Sequence, residues 1–170
     1  MKELILGGVR SGKSSLAEQH ALASGLPVTY IATATAEDNE MQARIAHHQA
    51  QRPQHWQLLE EPVSLAAALQ QTARPEHCVL VDCLTLWLTN LLCVDDDARM
   101  QKEIAALLKL LPGLPGHIIL VSNETGMGVV PLGELTRRYC DEAGRMHQAI
   151  AKTCEHVILT VAGLPLHLKG

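Results

Sequence analysis

Eight residues near the start of the chain, Gly7-Gly8-Val9-Arg10-Ser11-Gly12-Lys13-Ser14, hold glycines, a lysine and a serine at the spacing G-x-x-x-x-G-K-[ST]. The chemistry that this spacing serves is the holding of a nucleoside triphosphate. The glycines let backbone amides close around the β-phosphate, and the amino end of a following helix adds a favourable field. The Lys13 ammonium reaches the terminal phosphates, and the Ser14 hydroxyl is a ligand for Mg2+. Such a loop needs a carboxylate at the end of a neighbouring strand to complete the metal shell, and the apolar run CVLVD ends in Asp82. The competing role for Asp82 is to cap the helix that begins near Leu84.

A second candidate is the adjacent pair His47-His48 in ARIAHHQAQRPQHW. Neighbouring residues on a helix point in different directions, so one imidazole at most enters a given cleft. A neutral histidine attacks phosphorus near pH 7 and leaves a phosphoramidate that passes the group onward. Two histidines near a helix end also form a solvated pair stabilised by the helix dipole. Spacing alone leaves both readings open.

These residues need elements that bring them together. Short apolar runs at Glu3–Leu6, Val28–Ala32, Val79–Asp82, Ile118–Ser122 and Val157–Val161 have the composition of buried strands, and Trp56–Glu60 is a weaker sixth. Between them lie helical patterns at Lys13–Ser24, Asp38–Gln51, Val63–Thr72, Leu84–Leu92, Asp96–Leu111 and Gly133–Lys152. Breakers fall where this scheme requires them: Gly25 and Pro27, Arg52-Pro53, and Pro112-Gly113-Leu114-Pro115-Gly116. The expectation is an α/β, doubly wound, mostly parallel sheet over residues 1–170 as one domain. Its ligands should gather at the carboxyl ends of the strands.

Composition narrows the partner. With 14 Lys and Arg against 18 Asp and Glu in 170 residues, the formal charge is -4, and the basic residues are scattered, which excludes the footprint of a nucleic-acid binder. The five cysteines at 78, 83, 93, 140 and 154 include no Cys-x-x-Cys pair and are expected as reduced core residues. The segment MKELILGG runs straight into the glycine loop without a leader pattern, and the richest apolar stretch, Cys78–Val94, is short and carries Asp82 and Asn90. A cytoplasmic protein without a membrane span, acting on a small molecule, is expected. There is no Phe, and only two Trp and two Tyr, so the core must be built from aliphatic side chains.

Taken in order, GGVRSGKSS, YIATA, ARIAHHQAQRPQHW, LVDCLTLWLTNLL, VSNETGMGVVP and RYCDEAGRMHQAIA resemble the bifunctional adenosylcobinamide kinase and adenosylcobinamide-phosphate guanylyltransferase family of cobalamin biosynthesis. The resemblance covers nearly the whole chain, and its HHxxxRPxxW and SNExGxGxVP segments are the specific ones. It implies a RecA-like P-loop NTPase fold and a homotrimer. It also implies two reactions: phosphorylation of adenosylcobinamide by GTP or ATP with Mg2+, then transfer of GMP from GTP to that phosphate. The resemblance puts the guanylylated nucleophile at His47. It adds nucleotide contacts at Ala32, Thr33 and Ala34, at His48, Gln49, Ala50, Gln51 and Arg52, and at Glu60, beside Gly7 to Ser14 and Asp82.

Several of these residues have an ordinary role beside the functional one. Arg52 is a forked phosphate ligand or, before Pro53, a helix stop. Glu60 contacts guanine or ribose, or is an exposed carboxylate at a strand end. Asn123 and Glu124 stand where a γ-phosphate sensor or a general base would sit, and Gly126 and Gly128 mark a turn or a lid. Two other functions fit the loop: a plain P-loop kinase for another small metabolite, and a nucleotide-binding regulatory module with slow turnover.

Overall fold

The computed structural model describes residues 1–34, 53–94 and 96–170. Its strands are β1 (Lys2–Gly7), β2 (Val28–Ala32), β3 (Gln57–Glu60), β4 (Cys78–Asp82), β5 (His117–Asn123), β6 (His156–Val161) and β7 (Leu164–Lys169). Its helices are α1 (Lys13–Ala23), α2 (Leu65–Thr72), α3 (Leu84–Cys93), α4 (Asp97–Leu110), which runs into a 3-10 turn at Leu111–Gly113, and α5 (Glu134–Thr153). The seven strands form one sheet in the order β3-β2-β4-β5-β1-β6-β7. Every pairing is parallel except β6 with β7.

The period-2 alternation of the central strands explains why the sheet is covered twice. Leu4, Leu6, Ile31, Val79, Val81, Ile118 and Leu120 face one side, where they pack with Leu65, Leu69, Trp87, Leu91, Met100, Leu107, Met146 and Ile150 from α2, α3, α4 and α5. The residues between them, Ile5, Tyr30, Leu80, Ile119 and Val121, face the other side against Ala17 and Ala21 of α1 and against Trp56. Small side chains on α1 let that helix lie close over the sheet centre, which sets where its amino end points. In the absence of Phe, the larger core is filled mainly by leucine around Trp87, whose indole N–H donates to the Val63 carbonyl at 2.7 Å.

The strand expectations hold with ends shifted by a residue or so, and the five helical patterns at Lys13–Ser24, Val63–Thr72, Leu84–Leu92, Asp96–Leu111 and Gly133–Lys152 each match one of these helices to within two residues at either end. The pattern at 38–51 lies outside the described residues. Two expectations need correction. The sequence reading contains no seventh strand, yet Leu164–Lys169 pairs antiparallel with β6 through a two-residue turn at Ala162 and Gly163, whose φ values of 52° and 80° suit a type I′ hairpin. Pro165 fits there because β7 is an edge strand. Among the cysteines, Cys78, Cys83 and Cys154 are buried, whereas Cys93 is exposed and Cys140 half-buried. All five are free thiols. Burial pushes the Cys78 and Cys154 thiols up to about 12 and Cys83 up to about 11, which makes them unreactive core groups.

Candidate active site

β1 delivers the glycine loop to the carboxyl edge of the sheet, and α1 begins at Lys13, so residues 7–14 form the expected strand–loop–helix turn. Gly12 caps α1 with φ 95°, in the left-handed region where a side chain is strained. A Cβ on Gly7 would lie 2.3 Å from Ser11 Oγ and 2.8 Å from the Thr160 carbonyl, so only glycine lets the loop fold back on itself. Ser11 N–H donates to the Gly8 carbonyl at 3.3 Å and closes the first turn of the loop. From outside, the β6–β7 hairpin tip supports it: Gly163 N–H donates to the Ser11 carbonyl at 2.9 Å.

Lys13 folds over this loop and donates to the Gly8 carbonyl at 3.1 Å. Burial lowers its pKa, against the opposing influence of Cys83 and Asp82. A partly desolvated ammonium above a ring of backbone amides is a strong seat for phosphate oxygens. Among the described residues, Ser11 Oγ and Asn123 Oδ1 are buried without a hydrogen-bond partner, and both lie on segments next to Gly7. Polar groups left unpaired at a binding cradle are suited to a polar ligand.

The registers set the other candidates along one edge. Glu60, Ala32 and Asp82 are aligned across β3, β2 and β4, and Gly7 is aligned with Asn123 and Thr160. β4 is two places from β1 in the sheet, so Asp82 is roughly 10 Å from the strand that carries the loop. β3 is four places away, so Glu60 lies roughly 19 Å from it. The fold therefore brings Asp82 towards the phosphate loop, while Glu60 sits on the opposite flank of the edge, exposed.

Local bonds fix that edge. Tyr30 hydroxyl donates to Asp82 Oδ2 at 2.8 Å. Thr33 is fully buried and joins two strand ends: its N–H donates to the Asp82 carbonyl at 3.2 Å, its hydroxyl donates to the Cys83 carbonyl at 2.7 Å, and the same oxygen accepts from Cys83 N–H at 2.9 Å. Asn90 Nδ2 donates to the Thr33 carbonyl at 2.8 Å. Thr33 thus holds the backbone beside Asp82 and has its hydroxyl committed to that task. Ala34 follows it, half-buried, at the same edge. His47, His48, Gln49, Ala50, Gln51 and Arg52 lie outside the described residues.

Sequence reasoning missed Tyr30 as the partner of Asp82, although YIATA was in view. It also missed a group behind β5. His147 of α5 is buried, with Nε2 2.8 Å from Ser122 Oγ and Nδ1 3.8 Å from Glu124 Oε2. Its place on the buried stripe with Ala143, Met146 and Ile150 was a legible signal.

Oxygen donors from a hydroxyl and a carboxylate, Ser14 and Asp82, suit Mg2+. Among the described residues no group of three or more His, Cys, Asp or Glu side chains could hold a metal by itself. Ser14 and Asp82 offer two oxygens, and the other positions on a cation at this edge are open to phosphate oxygens and water.

Comparison with known proteins agrees with this geometry. A family model described as cobinamide kinase / cobinamide phosphate guanyltransferase matches residues 3–168. The chain is 66% identical over 170 residues to the bifunctional adenosylcobalamin biosynthesis protein CobP of Pseudomonas aeruginosa, with 100% of this chain and 98% of that protein covered. It is 37% identical over 182 residues to the bifunctional adenosylcobalamin biosynthesis protein CobU of Escherichia coli, covering 99% of this chain and all of that one. Among solved structures it is similar to the RadB recombinase, with a TM-score of 0.54 at 18% identity over 93% of this chain and 73% of that one, a likeness of fold alone. The strand order and the loop at the end of β1 are those of a RecA-like P-loop fold, and the chain belongs to the cobinamide kinase / cobinamide phosphate guanyltransferase family.

Proposed function

We propose that this chain phosphorylates the aminopropanol hydroxyl of adenosylcobinamide with a nucleoside triphosphate. It then transfers GMP from GTP to the new phosphate through a guanylylated His47, releasing pyrophosphate and giving adenosylcobinamide-GDP. The observation that carries this reading is the phosphate cradle at the end of β1, closed by Lys13, in a chain that matches the family from residue 3 to residue 168.

The chain's own groups divide the work. The amides of Gly7 to Ser14 surround the β-phosphate, and Lys13 offsets the charge that builds on the bridging oxygen as the γ-phosphoryl group leaves. Ser14 and Asp82 would hold Mg2+, which supplies further charge neutralisation on the β- and γ-phosphates. Ala32, Ala34 and Glu60, with His48, Gln49, Ala50, Gln51 and Arg52, form the second set of nucleotide contacts, and Thr33, fully buried, holds the strand ends behind them. The roughly 14 Å between β2 and β1 and roughly 19 Å between β3 and β1 support giving Ala32, Ala34 and Glu60 the nucleoside end, or the guanylyl step, rather than the γ-phosphate. His47 attacks the α-phosphorus: an N–P bond forms, the bond from that phosphorus to the bridging oxygen breaks, and pyrophosphate leaves with the electron pair.

The chain acts in the cytoplasm as a homotrimer with no nucleic-acid partner. The charge of -4 and the lack, among the described residues, of a helix long and apolar enough to cross a membrane support this setting. Leu164, Leu166 and Leu168, all more than half exposed on one face of β7, support an assembled state. Light scattering after gel filtration reads it.

The deciding experiment uses GTP labelled at the α- or the γ-phosphate. α-Label should remain on the denatured protein in an acid-labile, base-stable linkage, γ-label should not, and His47→Ala should abolish retention. Stable α-label in His47→Ala, or none in the active wild type, would return the protein to a plain kinase.

A further inference from the structure

Three strand ends along the site carry a carboxylate: Glu60 at the end of β3, Asp82 at the end of β4, and Glu124 one residue beyond β5. Glu60 is four strands from the loop, and Asp82 is engaged by Tyr30 and assigned to the cation. Glu124 is next to the loop itself, because its N–H donates to the Gly7 carbonyl at 3.0 Å. Its side chain is 23% exposed, so it reaches open space at the rim.

That carboxylate is held on two sides. Oε1 accepts from Gly126 N–H at 2.7 Å, and Oε2 faces His147 Nδ1 at 3.8 Å. Behind His147 the polar contacts continue through two hydroxyls. Asn123 N–H donates to Thr85 Oγ1 at 2.7 Å, and Thr85 Oγ1 and Ser122 Oγ lie 3.4 Å apart, either able to donate to the other. Ser122 Oγ lies 2.8 Å from His147 Nε2 and can donate to it. An imidazole that accepts at Nε2 carries its proton on Nδ1, the atom that faces Glu124. Burial keeps this histidine towards its neutral form, opposed by Glu124. Thr85, Ser122 and His147 thus line up behind a half-buried carboxylate at the rim of the phosphate loop.

We propose that Glu124 is the catalytic residue that orients the acceptor hydroxyl and takes its proton in the kinase step, and that His147 is its positioning residue. The inference rests on the functional reading above. The acceptor oxygen forms a bond to the γ-phosphorus, the bond from that phosphorus to the β,γ-bridging oxygen breaks, and the nucleoside diphosphate leaves with the electron pair. The hydroxyl proton passes to the Glu124 carboxylate. Guanylyl transfer, in which the acceptor is already an ionised phosphate, has no such proton to remove.

The test compares the two half-reactions in the full-length protein, with circular dichroism and thermal midpoints to confirm folding. Glu124→Gln should lower kcat for phosphorylation of adenosylcobinamide by about 10²-fold or more with KM for nucleotide little changed. Guanylyl transfer to presupplied adenosylcobinamide phosphate should fall far less. His147→Gln should cost kinase kcat about tenfold, and nothing further when added to Glu124→Gln, because a positioning residue has no effect once its target is gone. Equal loss of both half-reactions in Glu124→Gln, an unchanged kinase kcat, or additive losses in the double variant would overturn the proposal. If the wild type phosphorylates no corrinoid, the functional reading fails separately. Glu124 is then tested on slow triphosphate hydrolysis with water as acceptor, where the same loss in Glu124→Gln is expected and wild-type hydrolysis overturns its role.

Discussion

Tyr30 and Asp82, on neighbouring parallel strands, are joined by a 2.8 Å hydrogen bond from the phenol to Oδ2. Tyr30 is buried under α1, so its hydroxyl fixes the rotamer of a carboxylate that otherwise turns freely at the strand end. A carboxylate that bonds a buried phenol on one oxygen is presented to the site in one orientation.

The metal dependence of the kinase step should report this. Tyr30→Phe removes a hydrogen bond to a charged group, worth about 1.5–3 kcal/mol, part of which is recovered by water. The Mg2+ concentration for half-maximal rate should rise by about three- to tenfold, with kcat at saturating Mg2+ close to wild type. Asp82→Asn should show a larger shift, eased in part by excess metal. A Mg2+ titration of the two variants decides: unchanged midpoints in both would leave Asp82 as the structural partner of Tyr30 only, since α3 is capped at Cys83 without a side-chain hydrogen bond.

Most of the site's frame was legible because it depends on backbone pattern. The loop spacing, the apolar runs and the breakers all express local rules, and local rules placed Lys13 and Ser14 at the start of a helix and Asp82 at a strand end before any contact was known. What was not legible was long-range. β7 was missed because its turn is Ala162-Gly163 instead of the usual Asn-Gly, and its run LPLHLK contains a proline. Its tip nevertheless buttresses the phosphate loop through Gly163 and Ser11, which no local signal reveals. The pairing of Glu124 with His147 spans 23 residues and depends on which face of α5 is buried. Cys93 and Cys140 show the reverse error, since an apolar residue type does not by itself fix burial.

Acid stability has a specific origin on the far edge of the sheet. Glu3, on β1, is 4% exposed, with His20 Nδ1 2.7 Å from Oε2 and His117 Nε2 2.9 Å from Oε1. Burial alone would raise its pKa, but hydrogen bonds and charge from His117 and His20 outweigh it and hold the carboxyl down at about 2. A folded-state pKa below the unfolded value gives stability that is fully present above the ordinary carboxyl range and is lost as pH falls towards 2. The contribution is on the order of 3 kcal/mol. Urea unfolding at about pH 5 and about pH 3 should show a steeper loss for wild type than for Glu3→Gln. Parallel losses would show that the two imidazoles do not stabilise the carboxylate.

The two glycines that open the loop should separate folding from binding. At Gly7 an added Cβ meets Ser11 Oγ at 2.3 Å and the Thr160 carbonyl at 2.8 Å, and the carbonyl belongs to a strand paired with β1. A backbone oxygen cannot swing aside, so Gly7→Ala must move the loop or the strand. It should cost about 1–3 kcal/mol of stability as well as nucleotide affinity. At Gly8 an added Cβ meets nothing within 4 Å among the described residues, so Gly8→Ala leaves their packing untouched. That open space is where the loop's amides must approach a phosphate, and a methyl group there excludes phosphate oxygens. Gly8→Ala should therefore keep the wild-type thermal midpoint without nucleotide and lose most of the upward shift that a triphosphate with Mg2+ confers. A thermal scan of both variants with and without nucleotide reads all four values. A full nucleotide-induced shift in Gly8→Ala would show that the phosphates are held elsewhere than over this loop.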